Sequence, residues 1–299
     1  MQSGGETFQI DGTLIRVAGP AAGIYDRVDP AALLDAVRRS GHRVDLCTFM
    51  QGLPDTSPQY AYPMEWDNVA ALEVATFDHW LTKQINTNAR KALRVGEQRG
   101  IVVREVPFDD VLVRGISAVY NERPVRQGRR FPHYGKSLEV VRRENATFLE
   151  RSIFIAAFVD HRVVGFAKLV CDEGRRQAGL MQIIAMVQHW DKAPAKALIA
   201  HAVRSCAERK IRYLLFGRFT YGKKEGDSLA DFKQRNGFRR IDLPRYYIPL
   251  TRVGRTALRL GLHRPFAAHI PEPLLARLRK ARSRWYERRL GAAHEMNAL

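Results

Sequence analysis

Residues 152–188 read SIFIAAFVDHRVVGFAKLVCDEGRRQAGLMQIIAMVQ, and this run narrows the choice of fold more than any other segment. It predicts two apolar strands around the turn Asp160-His161, then a third strand over 178–188. A helix over 196–211, a strand over 212–219, a short helix over 228–236 and a last strand over 238–250 follow. Strand, strand, strand, helix, strand, helix, strand is the pattern of a mixed α/β sheet.

The preceding half supplies further α/β elements. A strand is expected in TLIRVAG (13–19), and a helix over 30–41 with Asp29 as cap, Pro30 in its first turn and Gly41 after it. Strands are expected over 42–51 and 68–75, with a Pro-rich loop between. One long helix over 77–100 would place Phe77, Trp80, Leu81 and Ile85 on a common face. A strand over 101–106 and helices over 108–124 and 137–150 lead back to the opening run.

A hydrophobic share of 45% in 299 residues suffices for a core, but a formal charge of +18 is unusual. It favours nucleic acid, an anionic membrane or a phosphorylated substrate as partner. Three scattered cysteines without a CxxC argue against a disulfide framework and for a cytoplasmic setting. The first residues lack the pattern of a signal peptide, and no apolar run is long enough to cross a bilayer. Histidine spacing gives no support for a metal site. From Thr251 onward, eleven Lys/Arg face three Glu, a net of 11 − 3 = +8. Within this tail Leu274, Leu278, Ala281 and Trp285 share one helical face. That face either docks on the body, or the helix meets RNA or an anionic membrane.

Three clusters carry candidate chemistry. YNERPVRQGRRFPHYGK (120–136) interleaves Arg123, Arg126, Arg129, Arg130 and Lys136 with Tyr120, Phe131, His133 and Tyr134, a mixture suited to phosphate plus a base or sugar. FGRFTYGKKEGDS (216–228) presents Arg218, Tyr221, Lys223 and Lys224 among glycines and is either a lid or a plain surface loop. SLADFKQRNGF (228–238) is a capped helical turn that sets Lys233 beside Phe232 before Gly237. Gln182 adds a polar side chain within an apolar strand, where such groups most often satisfy a neighbouring backbone atom.

The order of elements from 152 to 250 resembles the GNAT acyltransferase superfamily, and FKQRNGF is similar to the F-K-x-x-x-G-F form of its Fem-type, tandem-GNAT branch. NARKALRVGEQRGIVVREV (88–106) is similar to the segment closing the first domain there. The resemblance spans about residues 65–250. It implies two GNAT-like mixed α/β domains packed around a cleft, 1–122 and 123–250, with 123–136 as interdomain loop; residues 1–64 join the first domain by size alone, and the basic helical tail 251–299 lies outside the resemblance. It further implies an N-acyltransferase forming an amide on an amine-bearing acceptor, with aminoacyl-tRNA or acyl-CoA as donor co-substrate and no metal. Lys233 stands where many GNAT members carry a tyrosine that protonates the leaving group, and Tyr221 is the alternative acid. Arg123, Arg126, Arg129, Arg130, His133, Tyr134, Gln182, Lys192 and Arg218 are the candidate donor- and substrate-binding residues. Where the superfamily cradles the CoA pyrophosphate on glycine N–H groups, QHWDKAPAKAL (188–198) has Ala193 and Ala195 with Pro194 between them, a degraded cradle that favours tRNA. The competing expectation is a non-catalytic RNA- or anionic-membrane-binding protein on this fold. The chain is expected in the cytoplasm, with peripheral contact at the inner membrane face as an open alternative.

Overall fold

The structure is a computed structural model that describes residues 2–3, 6–21, 26–221, 228–264 and 272–286. Its first half contains β1 (Gln2–Ser3), β2 (Glu6–Asp11), β3 (Val17–Pro20), α1 (Pro30–Arg39), β4 (Leu46–Met50), β5 (Met64–Glu73), α2 (Phe77–His79), α3 (Thr87–Gln98), β6 (Val102–Val106) and α4 (Asp110–Tyr120). Then come the hairpin β7 (Val125–Arg126) and β8 (Arg129–Arg130), α5 (Leu138–Asn145), β9 (Ser152–Val159), β10 (Arg162–Cys171) and β11 (Gln177–Ala185). The chain continues with α6 (Pro194–Glu208), β12 (Tyr213–Leu215), α7 (Ser228–Arg235), β13 (Arg239–Pro249), α8 (Arg252–Arg259) and α9 (Glu272–Tyr286).

Eleven strands form one mixed sheet in the order β1-β2-β3-β4-β13-β5-β12-β11-β10-β9-β6. The apolar run 152–188 makes the part of the sheet next to its β6 edge, with β9, β10 and β11 antiparallel. α6 buries Leu198, Ile199, Ala202, Val203 and Cys206 against one face. α4 and α5 cover the other with Leu112, Ile116, Tyr120 and Val141. Each such side chain, wholly withdrawn from water, contributes roughly 1.5–3 kcal/mol if it is of Leu or Phe size. α1, capped by Asp29, which accepts the Ala31 N–H at 2.9 Å, covers the sheet at the β2–β4 end.

The sheet draws its units differently from a boundary at 122/123. β6 and α4, which precede that point, pair with β9 and pack on β10. β13, near the end of the chain, pairs with β4 and β5 of the first half. The two halves are therefore interleaved through β5, which lies between β12 and β13.

The long helix expected over 77–100 is broken. α2 runs into a π-helical turn, Trp80–Gln84, that ends at Ile85. Asn86 then caps α3 anew, its side chain accepting the Ala89 N–H at 2.7 Å. Asparagine competes for backbone donors in this way, and the cap outweighs the continuous apolar periodicity. The restart turns Trp80 fully inward, where its Nε1 donates to the Asn236 carbonyl at 3.0 Å.

Candidate active site at the open edge of β11

β11 pairs with β12 only over Gln177–Gly179, opposite Tyr213–Leu215. Beyond Gly179 it keeps β10 on one side and, among the described residues, has no paired strand on the other. The β10 register slips here: Lys168 faces Gln182 and Leu169 faces Leu180, so Met181 is the extra residue of a bulge. Such bulges bend a strand and re-aim its groups. The Met186 N–H donates to Val164 O at 2.8 Å, so it faces β10. The alternation of an antiparallel ladder turns the N–H groups of Ile183 and Ala185 to the open side instead.

α6 starts beside this opening. Ala193 adopts the left-handed conformation (φ 51°) and Pro194 follows without an N–H. The N–H groups of Lys196 and Ala197 both return to Ala193 O, at 3.0 and 3.1 Å. The preceding 3-10 turn, Val187–Lys192, is pinned to α3, where Arg99 Nη1 donates to Asp191 O at 2.8 Å. A Cβ on Gly96 of α3 would lie 2.4 Å from Lys192 O, so glycine alone permits this approach. At the start of the turn, Val187 and Gln188 donate to the Glu122 carboxylate, both at 2.9 Å. The helix start thus offers an anion few backbone donors. It does gather cations: burial chiefly, and then the nearby Arg235 charge, lower the pKa of Lys196, and Lys192 pairs with Asp191 at 3.6 Å.

Lys233, on α7, lies against the loop that follows β12. Phe238 N–H bonds back to Lys233 O and Gly237 N–H to Gln234 O, at 3.1 and 3.0 Å, closing α7 as a Schellman motif around Gly237 at φ 90°. The motif turns Lys233 wholly inward, at 0% exposure. Its ammonium donates to Arg218 O at 2.5 Å and lies 4.7 Å from the Phe216 ring centroid and 5.3 Å from that of Tyr221. Lys233, Arg218 and Tyr221 are therefore one assembly. Tyr221 is 49% exposed and forms its outer wall. Asn68 on β5 holds the loop by accepting the Thr220 N–H at 2.9 Å. Asp67 receives Arg218 and Arg245, both at 2.7 Å. Burial alone would raise the Asp67 pKa; the charge and hydrogen bond of Arg245, with Arg218 and the Asn68 N–H behind them, outweigh it and hold the carboxyl below its ordinary value.

No protein-family model matches this sequence, and no curated protein matches it significantly. Solved structures do match its fold. FemX superposes with a TM-score of 0.57 at 10% identity, covering 85% of this chain and 86% of its own. L-PGS from Bacillus licheniformis gives 0.52 at 14% identity, covering 84% of this chain and 83% of its own. The chain has the Fem-like GNAT fold. In this chain β11, β10 and β9 run in that order towards the β6 edge, α6 follows β11, and α7 carries Lys233.

The α4–α5 connection forms a second group on the opposite face of this GNAT-like sheet. Arg126 is held within the protein: it donates to Ala185 O (3.0 Å), Val119 O (2.6 Å) and Glu122 (3.1 Å), and lies 4.5 Å over Phe131. Its engagement leaves little of the fork for a ligand, which the spacing of arginines alone did not reveal. Gln182 accepts the Tyr120 hydroxyl at 2.9 Å. His133 stacks on Tyr120 at 4.4 Å. Burial first, then the Lys136 charge, lower its pKa against the pull of Glu144. Arg123, Arg129, Arg130 and Tyr134 are exposed. Lys223 and Lys224 lie outside the described residues.

Glu122, Asp67 and Lys168 were not among the expected residues. Lys168, on β10, is 1% exposed, and burial brings its pKa down to about 8. It donates to Asn145 O at 2.9 Å, to Thr147 Oγ1 at 3.0 Å and to Thr147 O. A lone lysine within VVGFAKLVC was its sequence signal.

Proposed function

We propose that this protein is an N-acyltransferase that moves an aminoacyl group from aminoacyl-tRNA to an amine acceptor, forming an amide. The α6 start carries this reading. Pro194 lacks a donor, Lys196 and Ala197 bond to Ala193 O, and Glu122 takes Val187 and Gln188, so a CoA pyrophosphate finds a poor cradle. A tRNA donor needs none. Its phosphates suit the cations at this end, Lys192, Lys196, Arg218 and Arg235, and the exposed Arg123, Arg129 and Arg130 beside His133 and Tyr134.

The acceptor nitrogen attacks the ester carbonyl and forms a carbon–nitrogen bond; the resulting oxyanion is held by the N–H groups of Ile183 and Ala185. Collapse breaks the ester carbon–oxygen bond, and the ribose hydroxyl leaves with a proton. Lys233 supplies positive charge to that oxygen, and Tyr221, over the ammonium, is the acid the donor meets first. Gln182 ties β11, the strand that bears those N–H groups, to Tyr120 of α4.

The test is transfer. The full chain is incubated with tRNA charged with labelled amino acids and, separately, with labelled acetyl-CoA, each with a mixture of amines. Label moving from tRNA into a base-stable amide supports the reading. Transfer from acetyl-CoA alone reassigns the donor, and no transfer from either favours a binding protein on an enzyme fold.

A further inference from the structure

We propose that α9, together with the β7–β8 hairpin, forms a docking face for an anionic lipid bilayer. Leu274, Leu278, Ala281 and Trp285 recur at steps of four, three and four, which aligns them along one side of α9. This stripe is not packed away: Leu274 is 50% and Leu278 54% exposed, and Ala281 is exposed as well. Arg277, Lys280, Arg282 and Arg284 are exposed around it. Over 272–286 the sequence holds five cations against the single Glu272. α9 lies against β8, whose Arg129 and Arg130 are also exposed, so the basic surface continues onto the body of the protein.

The pairing of the two surfaces selects the partner. An RNA backbone is satisfied by cations and gains nothing from a row of exposed leucines. A bilayer interface uses both: the apolar stripe enters the acyl boundary while arginines reach lipid phosphates. Charge complementarity makes that bilayer an anionic one. The proposal does not depend on catalysis, since α9 carries it; only Arg129 and Arg130 of β8 are shared with the surface offered to a tRNA donor.

Vesicle flotation with the full chain tests it. Phosphatidylcholine vesicles with about 30% phosphatidylglycerol should retain the protein at least ~10-fold better than pure phosphatidylcholine, and salt should weaken the retention. Leu274→Glu with Leu278→Glu should reduce it by ~10-fold or more, and so should Arg282→Glu with Arg284→Glu. Far-ultraviolet circular dichroism and the melting temperature confirm that each variant folds. Retention unchanged by the leucine pair overturns the proposal, because the contact is then electrostatic only. Loss of tRNA binding in the arginine pair, with no vesicle retention by the unaltered chain, overturns it in favour of RNA.

Discussion

Lys168, on β10, and Lys233, on α7, are both buried lysines, and their surroundings differ in kind. Lys168 leaves β10, which is paired on both sides, and reaches Asn145 O and Thr147, at the C-terminal end of α5. A cation there neutralises exposed carbonyls and the negative end of the helix dipole, a structural task. Lys233 leaves a short helix and binds Arg218 O in a loop whose Tyr221 wall is open to solvent. One ammonium is walled in by secondary structure; the other lies beside the rings of Phe216 and the exposed Tyr221 in the loop after β12. Burial of a lysine alone therefore identifies no active site, and the neighbouring elements do.

The widest separation between the two lysines should appear in turnover. Lys233→Met is expected to lower transfer by ~100-fold or more, whereas Lys168→Met leaves turnover per folded molecule within a few-fold. Equal losses in both variants would erase the distinction. Stability should reverse the order of consequence: Lys168→Met orphans three acceptors and costs about 1–3 kcal/mol for each one left dry, read as a shift in the urea midpoint. Lys233→Met orphans Arg218 O and should shift it less.

A pH series sharpens the same contrast. Because the folded pKa of Lys168 lies near 8, below the ordinary lysine value of 10.5, the unfolded chain binds more protons between those values. Its contribution to stability thus rises with pH from about 8 to about 10.5 and is flat below. The difference between wild type and Lys168→Met should acquire this slope, and a parallel pair of curves would refute it. Gly237→Ala forces a side chain onto φ 90° and should cost about 1–2 kcal/mol. A Cβ there meets Gln84 Cβ and Trp80 Nε1 at 3.3 Å, so turnover should fall with stability as Lys233 is displaced. The smallest effect is expected from Asp67→Asn, which loosens Arg218 and Arg245 and should raise KM severalfold with kcat nearly unchanged.

Much of the Lys233 turn was legible because it is local: the spacing of Phe232, Gly237 and Phe238 encodes a Schellman motif within seven residues. The alternation of 152–188 likewise announced β9, β10 and β11. What stayed hidden depends on distant partners. Nothing near residue 70 says that β5 will separate β12 from β13, because that choice is made across more than a hundred residues. Glu122 gains its role only where β11 ends. The break at Asn86 did have a local signal, a capping residue amid helical periodicity, which the apolar face of Phe77, Trp80, Leu81 and Ile85 obscured. The tail's stripe was visible, but its exposure is a property of the folded molecule.

The central claim is that this opening takes its acyl group from tRNA, with Lys233 behind the leaving oxygen. Equilibrium binding tests it most directly: the full chain is titrated with aminoacyl-tRNA and with acetyl-CoA at one ionic strength, and each is then offered in competition with the other. Saturable binding of aminoacyl-tRNA that acetyl-CoA does not displace is the expected result. Micromolar binding of acetyl-CoA, with none of tRNA, would contradict the account.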